Sequence, residues 1–350
     1  MKKSLIALAV LAASGAAMAQ SSVTLFGIVD AAYQRVDGDG NGNINRLVSG
    51  SNATSRLGFR GVEDLGGGLK ASFHLEGALA VDDGTSTGFN FQRRSTVSVH
   101  GNFGEVRLGR DYTPLFNNLV AYDVFGTVGV GNSNNLNLTK GVFGVVSATG
   151  IRTSNAISYL LPSNLGGFYG QATYAFGEQA SNVAAPAHKN DGNLFGLRAG
   201  YANGPLNVSF AYGDVKLKAA GDYTTYNLGA SYDLNVVKLF ANYGREELGT
   251  IATRGKAKND SYILGLTAPV GPGTIKASYV HVNQNNIAGN NDAGLLAVGY
   301  VYDLSKRTAV YGTYARVDNK SGSTLYNNGR ATTEAGGNTN GLEVGVRHSF

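Results

Sequence analysis

The chain contains no cysteine and no tryptophan, and among its 350 residues only 6 are proline and 5 histidine. Without cysteine it has no disulfides, no zinc thiolates and no thiol nucleophile. Five histidines alone leave little for a metal, since His74 and His100 lack a third ligand at suitable spacing, so no metal or cofactor is expected. Charged residues make up 15%, low against the ~25% of soluble domains. The formal charge of +5 is mild and scattered along the chain, which speaks against a nucleic-acid partner. No Gly-x-Ser-x-Gly elbow occurs, and the one suggestive pair, Ser98 and His100, faces the inside of the fold by the alternation described below. No catalytic residue and no enzyme activity are expected. Beyond the first twenty residues there is no long apolar run, so a transmembrane helix is excluded.

Glycine is abundant, at 50 residues, and 19 tyrosines with 15 phenylalanines supply all the aromatics. The opening "MKKSLIALAVLAASGAAMAQ" has a basic start at Lys2 and Lys3, a short apolar stretch from Leu5 to Ala13 and a small-residue Ala17-Met18-Ala19 site. That order reads as a cleaved signal peptide over residues 1–19, with Gln20 as the mature N-terminus and export from the cytoplasm. Removing the two lysines leaves +3 on residues 20–350.

From Ser22 to Phe350 the hydrophobic period is two, and stripes of helical period are missing. In "SVTLFGIVDAAYQ" the positions Val23, Leu25, Gly27, Val29, Ala31 and Tyr33 share one face, and "GLEVGVRHSF" closes the chain the same way. Segments such as "LNVSFAYGD", "SYILGLTAP" and "LLAVGYVYDL" match the ~9–11 residues of a tilted membrane strand. Short connectors (64–69, 101–104, 162–167, 202–205, 233–236, 270–273, 303–307) alternate with long ones around 37–53, 80–92, 111–152, 178–192, 216–222, 249–259, 285–292 and 319–340. Those connectors join sixteen strands, so the expected fold is all-β: a 16-stranded antiparallel transmembrane barrel with short periplasmic turns and long outer loops. Closure is required because an open edge in lipid would leave backbone groups unpaired. A ring of sixteen is wide enough for an aqueous channel.

A soluble all-β protein is the alternative, but no linker or composition break divides the chain. Tyrosines also gather in two groups on the apolar face, Tyr33, Tyr212, Tyr243, Tyr262 and Tyr279 toward the long loops and Tyr201, Tyr232, Tyr300 and Tyr302 toward the short turns. Two such belts suit the two interfaces of a membrane.

The stretches "SSVTLFGIVDAAY", "SRLGFRGVEDLGGGLKASFHLE" and "LGRDYTPLF", together with the terminal Phe350, resemble the Gram-negative general porins of the betaproteobacterial and neisserial kind. The resemblance covers essentially all of 20–350. It implies a homotrimer in the bacterial outer membrane, a third loop folded into each pore, and an assembly signal in Phe350 and its strand. The enteric members of that family carry a Pro-Glu-Phe-Gly tip in this loop; the present chain has Asp123-Val124-Phe125-Gly126.

Alternation assigns the lumen. Leu57 and Phe59 go to lipid, so Arg56 and Arg60 point inward; by the same rule Lys70, His74 and Glu76, then Arg94, Ser98 and His100, then Glu105 and Arg107 face inside. Arg110 falls at the junction where the last of these strands ends. Arg198, Lys238, Lys276 and Arg347 are more dispersed lumen cations. The loop after Arg110 is the longest and least polar, which suits packing inside the barrel, and Asp111 and Asp123 are its candidate acidic faces. The expectation is a basic wall facing an acidic loop across a constriction, with small hydrophilic solutes and ions diffusing through and anions modestly preferred. The bland alternative is that these arginines merely pair with Asp30, Glu63 or Glu76. A channel for one solute class, such as carboxylates or phosphate, would use the same arginines, and a barrel-anchored adhesin or receptor would rely on the long loops instead.

One motif tempts otherwise. "DGDGNGNINRLV", Asp37 to Val48, scans like a calcium loop through Asp37, Asp39, Asn41 and Gly42, but its twelfth position is Val48 in place of a bidentate Glu and no helix flanks it. It reads as an outer loop built from turn-forming residues, with a divalent cation bridging it to lipopolysaccharide as the alternative. Outer-membrane lipids and lipopolysaccharide are the expected surroundings.

Overall fold

The computed structural model describes residues 22–350 except 86–89, 137–149, 185–187, 218–220, 251–254, 286–290 and 321. The signal peptide over 1–19 and the Gln20 terminus lie outside the described residues. Seventeen strand segments follow one another: β1 (Ser22–Gly38), β2 (Gly42–Ser49), β3 (Arg56–Gly66), β4 (Leu69–Ala78), β5 (Arg94–Gly101), β6 (Gly104–Tyr112), β7 (Arg152–Leu160), β8 (Phe168–Ala175) and β9 (Leu194–Asn203). The second half contributes β10 (Leu206–Val215), β11 (Tyr223–Asp233), β12 (Lys238–Thr250), β13 (Gly255–Val270), β14 (Gly273–Asn285), β15 (Ala293–Asp303), β16 (Thr308–Asn319) and β17 (Asn338–Ser349).

Each strand pairs antiparallel with its neighbours, and β1 meets β17 from Ile28↔Ser349 to Gly38↔Thr339, so the sheet closes on itself. The upper half of β1 pairs with β2 and its lower half with β3, so these two segments fill one barrel position and the barrel has sixteen strands. Between them residues 50–55 leave the ladder. The Asp30 carboxylate holds this excursion by accepting the backbone N–H of Asn52 (2.9 Å) and Ala53 (2.6 Å), and the Ser55 hydroxyl donates to the Asp30 carbonyl.

The stretch with calcium-loop spacing is a hairpin. β1 runs on through Asp37, the chain turns over Asp39–Asn41 with positive φ at Gly40 and Gly42, and β2 pairs back over 42–49. Glycines at the tip admit the tight turn, so the ladder continues where a long loop over 37–53 is expected. The Asp39 carboxylate is used by the Asn338 N–H at 2.8 Å. Strands also rise further than the sequence suggests at 249–259 and 285–292, where β12, β13 and β14 reach Thr250, Gly255 and Asn285.

Outward faces carry the apolar side chains, with Val23 69% and Leu264 62% exposed. An aromatic band crosses β10–β14 toward the long loops, through Phe210, Tyr226, Tyr243, Tyr262 and His281, with neighbouring ring centroids 5.2–6.5 Å apart. A second lies toward the short turns at Phe168–Tyr201 and Tyr300–Tyr302. The main buried apolar cluster is inside the barrel, where Leu119, Val124, Phe125 and Val130 of the third loop pack on Ile263, Val280, Leu295 and Val317. The segment after β16 also turns inward, burying Tyr326 and tying Asn328 to the Ala315 carbonyl at 3.0 Å.

Candidate functional site

The lumen has two unlike walls. The first is built by β3–β7, whose inner faces follow from alternation and register. Arg60 pairs across with His74, which pairs with Thr96; Gly58 pairs with Glu76, which pairs with Arg94. Arg56, Arg60, Lys70, His74, Glu76, Arg94 and Arg107 all stand on this inner face.

Three carboxylates organise most of the cations. Glu76 takes Arg93 Nε at 2.6 Å, His74 at 3.4 Å and Arg56 at 3.9 Å. Asp111 takes Arg107 Nη1 at 2.6 Å and Arg94 Nε at 3.4 Å. Glu105 receives Arg107 Nε at 2.8 Å and Nη2 at 2.9 Å, with His100 at 3.7 Å. The acids are outnumbered: Arg56, Arg60, Lys70, Arg93, Arg94, Arg107 and Arg152 face Glu76, Glu105, Asp111 and Asp64, the last opposite Lys70 in register. Arg60 and Lys70 form no ion pair among the described residues, and Arg60 lies over the Phe26 ring at 5.2 Å.

Arg93 and Arg152 are lumen residues that alternation misses. Each sits at or just before a strand start, where loop geometry rather than the pleat aims the side chain. Arg152 donates to the Arg93 carbonyl (3.0 Å), both guanidiniums reach the Tyr112 hydroxyl (3.0 and 2.8 Å), and Arg152 covers the Tyr112 ring at 4.4 Å.

Two expectations need correcting. Arg110 pairs in register with Ser95, on the outward face of β5, and its guanidinium donates to the Gln92 carbonyl (2.6 Å) and Ser154 (2.8 Å). With Arg107 inward, the period of two puts Arg110 outward, so it does not line the pore. Asp123 is sealed within the third loop. Its oxygens accept the N–H of Phe125 (2.8 Å), Thr127 (3.2 Å) and Ser133 (3.2 Å) and the Ser133 hydroxyl (2.5 Å). Burial pushes its carboxyl above the usual range while these donors pull it back. Asp111 in turn belongs to β6, beside the arginines. An acidic loop facing a basic wall is therefore not what forms; the acids share the basic wall.

The third loop lies on the second wall, made by β9–β17. It begins with Thr113, whose hydroxyl caps helix α1 (Pro114–Val120) by accepting the Phe116 N–H at 3.2 Å, with Pro114 leading the helix. From there a series of inward glycines receives the loop. Leu115 rests on Gly213, Tyr122 on Gly229, Val124 on Gly265 and Val130 on Gly341, each close enough that a Cβ would collide, and Pro114 on Gly196 and Phe125 on Gly299 lie in tight contact at 3.0 and 3.2 Å. Removing the side chain on successive strands opens a groove as deep as one residue, and interior packing density requires the loop to fill it.

Polar anchors fix its register. Buried Asn118 donates to Asn227 Oδ1 at 2.5 Å, while its own carbonyl accepts Arg198 Nε (3.0 Å) and the Ser209 hydroxyl (2.5 Å). Tyr122 shares a 2.6 Å bond with Ser209, and the Val130 N–H reaches Glu343 at 3.3 Å. Residues 137–149 of this loop lie outside the described residues. At the far end of the chain, Phe350 exchanges backbone bonds with Gly27 (3.0 and 3.1 Å), and its ring fills the space above that glycine.

Comparisons with known proteins identify the family and match the barrel fold. A family profile described as Gram-negative porin matches residues 5–322. Outer membrane porin protein 32 of Delftia acidovorans is 46% identical over the full length of both chains. The major outer membrane protein P.IB of Neisseria gonorrhoeae is 28% identical over 88% of this chain and 91% of its own. Among solved structures, an anion-selective porin from Comamonas acidovorans superposes with a TM-score of 0.85 at 41% identity, covering 95% of this chain and all of the other.

Proposed function

Because the chain belongs to the Gram-negative porin family, a group of outer-membrane barrels for passive diffusion, we propose that its channel prefers anions through the arginine wall of β3–β7. The observation that carries this reading is the excess of seven wall cations over four carboxylates, set opposite a loop whose one acid is sealed. Fixed positive charge around a water-filled passage lowers the energy of a passing anion and raises that of a cation. Arg56, Arg60, Lys70, His74, Glu76, Arg94, Arg107 and Asp111 line the passage in this reading, with Arg93 and Arg152 added and Arg110 and Asp123 removed. The similar Comamonas protein, described as anion-selective, supports the sign.

The working unit is a homotrimer embedded in outer-membrane lipid and lipopolysaccharide, produced after a signal peptide over 1–19 is removed. Phe350, bonded to the first strand at the seam where the barrel closes, serves as the assembly signal. Ions and small hydrophilic solutes pass without a catalytic step. The test is a planar bilayer with a potassium chloride gradient across it. A chloride-favouring reversal potential, with conductance steps in threes, is the expected result; a potassium-favouring potential rejects the wall assignment.

A further inference from the structure

Beneath the third loop, on the side of the short turns, three inner-face residues fall on one line across adjacent strands. Lys238 of β12 pairs in register with Thr267 of β13, which pairs with Lys276 of β14. Strands ~4.8 Å apart place the two lysine Cα atoms about 10 Å from each other with the threonine between. Either side chain can reach across that gap.

Neither ammonium is ion-paired among the described residues. Lys238 Nζ lies 5.5 Å from the Phe240 ring and Lys276 Nζ 5.8 Å from the Phe125 ring at the tip of the third loop, and no carboxylate forms an ion pair with either among the described residues. Asp233, opposite Lys238 in register, turns its carboxylate to the Asn235 N–H at 2.8 Å. Asp123, the acid nearest Lys276, is committed to its four donors. Arg347 adds positive charge from β17, its own contacts being Asn52 at 2.9 Å and Asp303 at 3.9 Å. The wall cations of β3–β7 differ in this respect, because most are held by carboxylates. A ring face attracts an ammonium without supplying the negative charge that a carboxylate would.

We propose that Lys238 and Lys276, with the Thr267 hydroxyl between them, form a binding site for small oxyanions such as inorganic phosphate at the periplasmic end of the channel. Two ammoniums supply charge and up to six N–H donors in all, and the hydroxyl supplies a directed donor, which suits a tetrahedral anion with acceptors on every side. An anion leaving the constriction past Phe125 meets this site next. The inference rests on the reading of the lumen as an anion-preferring channel.

The experiment is chloride current through single reconstituted channels in potassium chloride, titrated with inorganic phosphate. Folded barrels are compared as wild type, Lys238→Gln, Lys276→Gln, the double variant and Thr267→Val. Arg307→Gln, which removes one charge at a turn of the same rim, is the control for a general field. Wild type is expected to show a saturable fall in chloride current. Each single lysine variant should weaken the apparent phosphate affinity about threefold to tenfold, and the double variant should lose saturation. Arg307→Gln should stay within about twofold of wild type, since an exposed distant charge is screened. Equal inhibition in wild type and the double variant, or no saturable inhibition in wild type, overturns the site. Loss of chloride preference in phosphate-free wild type would instead overturn the channel reading on which it rests.

Discussion

The two walls of the lumen solve opposite problems with opposite materials. The β3–β7 wall holds large charged side chains close together, and it does so by threading carboxylates between guanidiniums, as with Arg94–Asp111–Arg107–Glu105. The β9–β17 wall holds a polypeptide segment, and it does so by omitting side chains at Gly196, Gly213, Gly229, Gly265, Gly299 and Gly341. One wall is specified by what its side chains carry, the other by what is left out. In the proposed reading they narrow the passage from one side and charge it from the other, which makes selectivity and pore width separable by mutation.

The largest expected effect comes from filling the groove. Gly229→Leu puts a branched side chain where the Tyr122 ring lies and should displace the loop at a cost of about 1–3 kcal/mol, typical of overpacking. Single-channel conductance should change markedly and become heterogeneous, with little change in the sign of the reversal potential. A conductance identical to wild type would place the loop elsewhere.

On the opposite wall, Arg60→Ser removes a cation without a carboxylate partner. A unit charge about 10 Å from a passing ion in water is worth about 0.4 kcal/mol, about twofold for each ion and opposite in sign, so the chloride-to-potassium permeability ratio should fall about fourfold. The reversal potential in a salt gradient reads this directly. Paired charge should behave otherwise. Arg107→Gln combined with Glu105→Gln deletes one charge of each sign, and the reversal potential should move less than for Arg60→Ser alone. A larger shift from the neutral pair would mean that the pair, not the unpaired arginine, sets selectivity. The smallest effect belongs to Arg110→Ser. Its outward side chain contacts Gln92 and Ser154, so selectivity should stay at the wild-type value while heat stability of the barrel falls slightly.

The contrast also explains what could be read in the linear chain. Period-two patterning and the alternation of short and long connectors reveal the barrel, its strand number and the inward set from Arg56 to Arg107, because the pleat ties side-chain direction to position. The same rule, carried one step further, turns Arg110 outward. It fails where the ladder stops: Arg93 and Arg152 are aimed by loop ends, and Asp37–Val48 folds as a hairpin because two glycines at its tip let the ladder continue. Asp123 is misjudged for a different reason, since composition identifies an acid but not the four donors that the loop folds around it. The glycine groove is the least legible feature. Fifty glycines are plain in the sequence, yet only the register between strands brings six of them under one loop.

That seating is open to a direct test because the chain has no cysteine of its own. A Cβ on Gly229 stands 2.7 Å from Tyr122 Cγ, which brings the two Cβ atoms within the ~3.5–4.5 Å of a disulfide. The Tyr122→Cys, Gly229→Cys double variant should therefore cross-link in the oxidising periplasm, seen as a reductant-sensitive mobility shift of the denatured chain, and conduct as an open channel whose anion preference matches wild type. Folded barrels that remain uncross-linked, or that cross-link only with loss of conductance, would contradict a third loop seated on the glycine wall opposite the arginines.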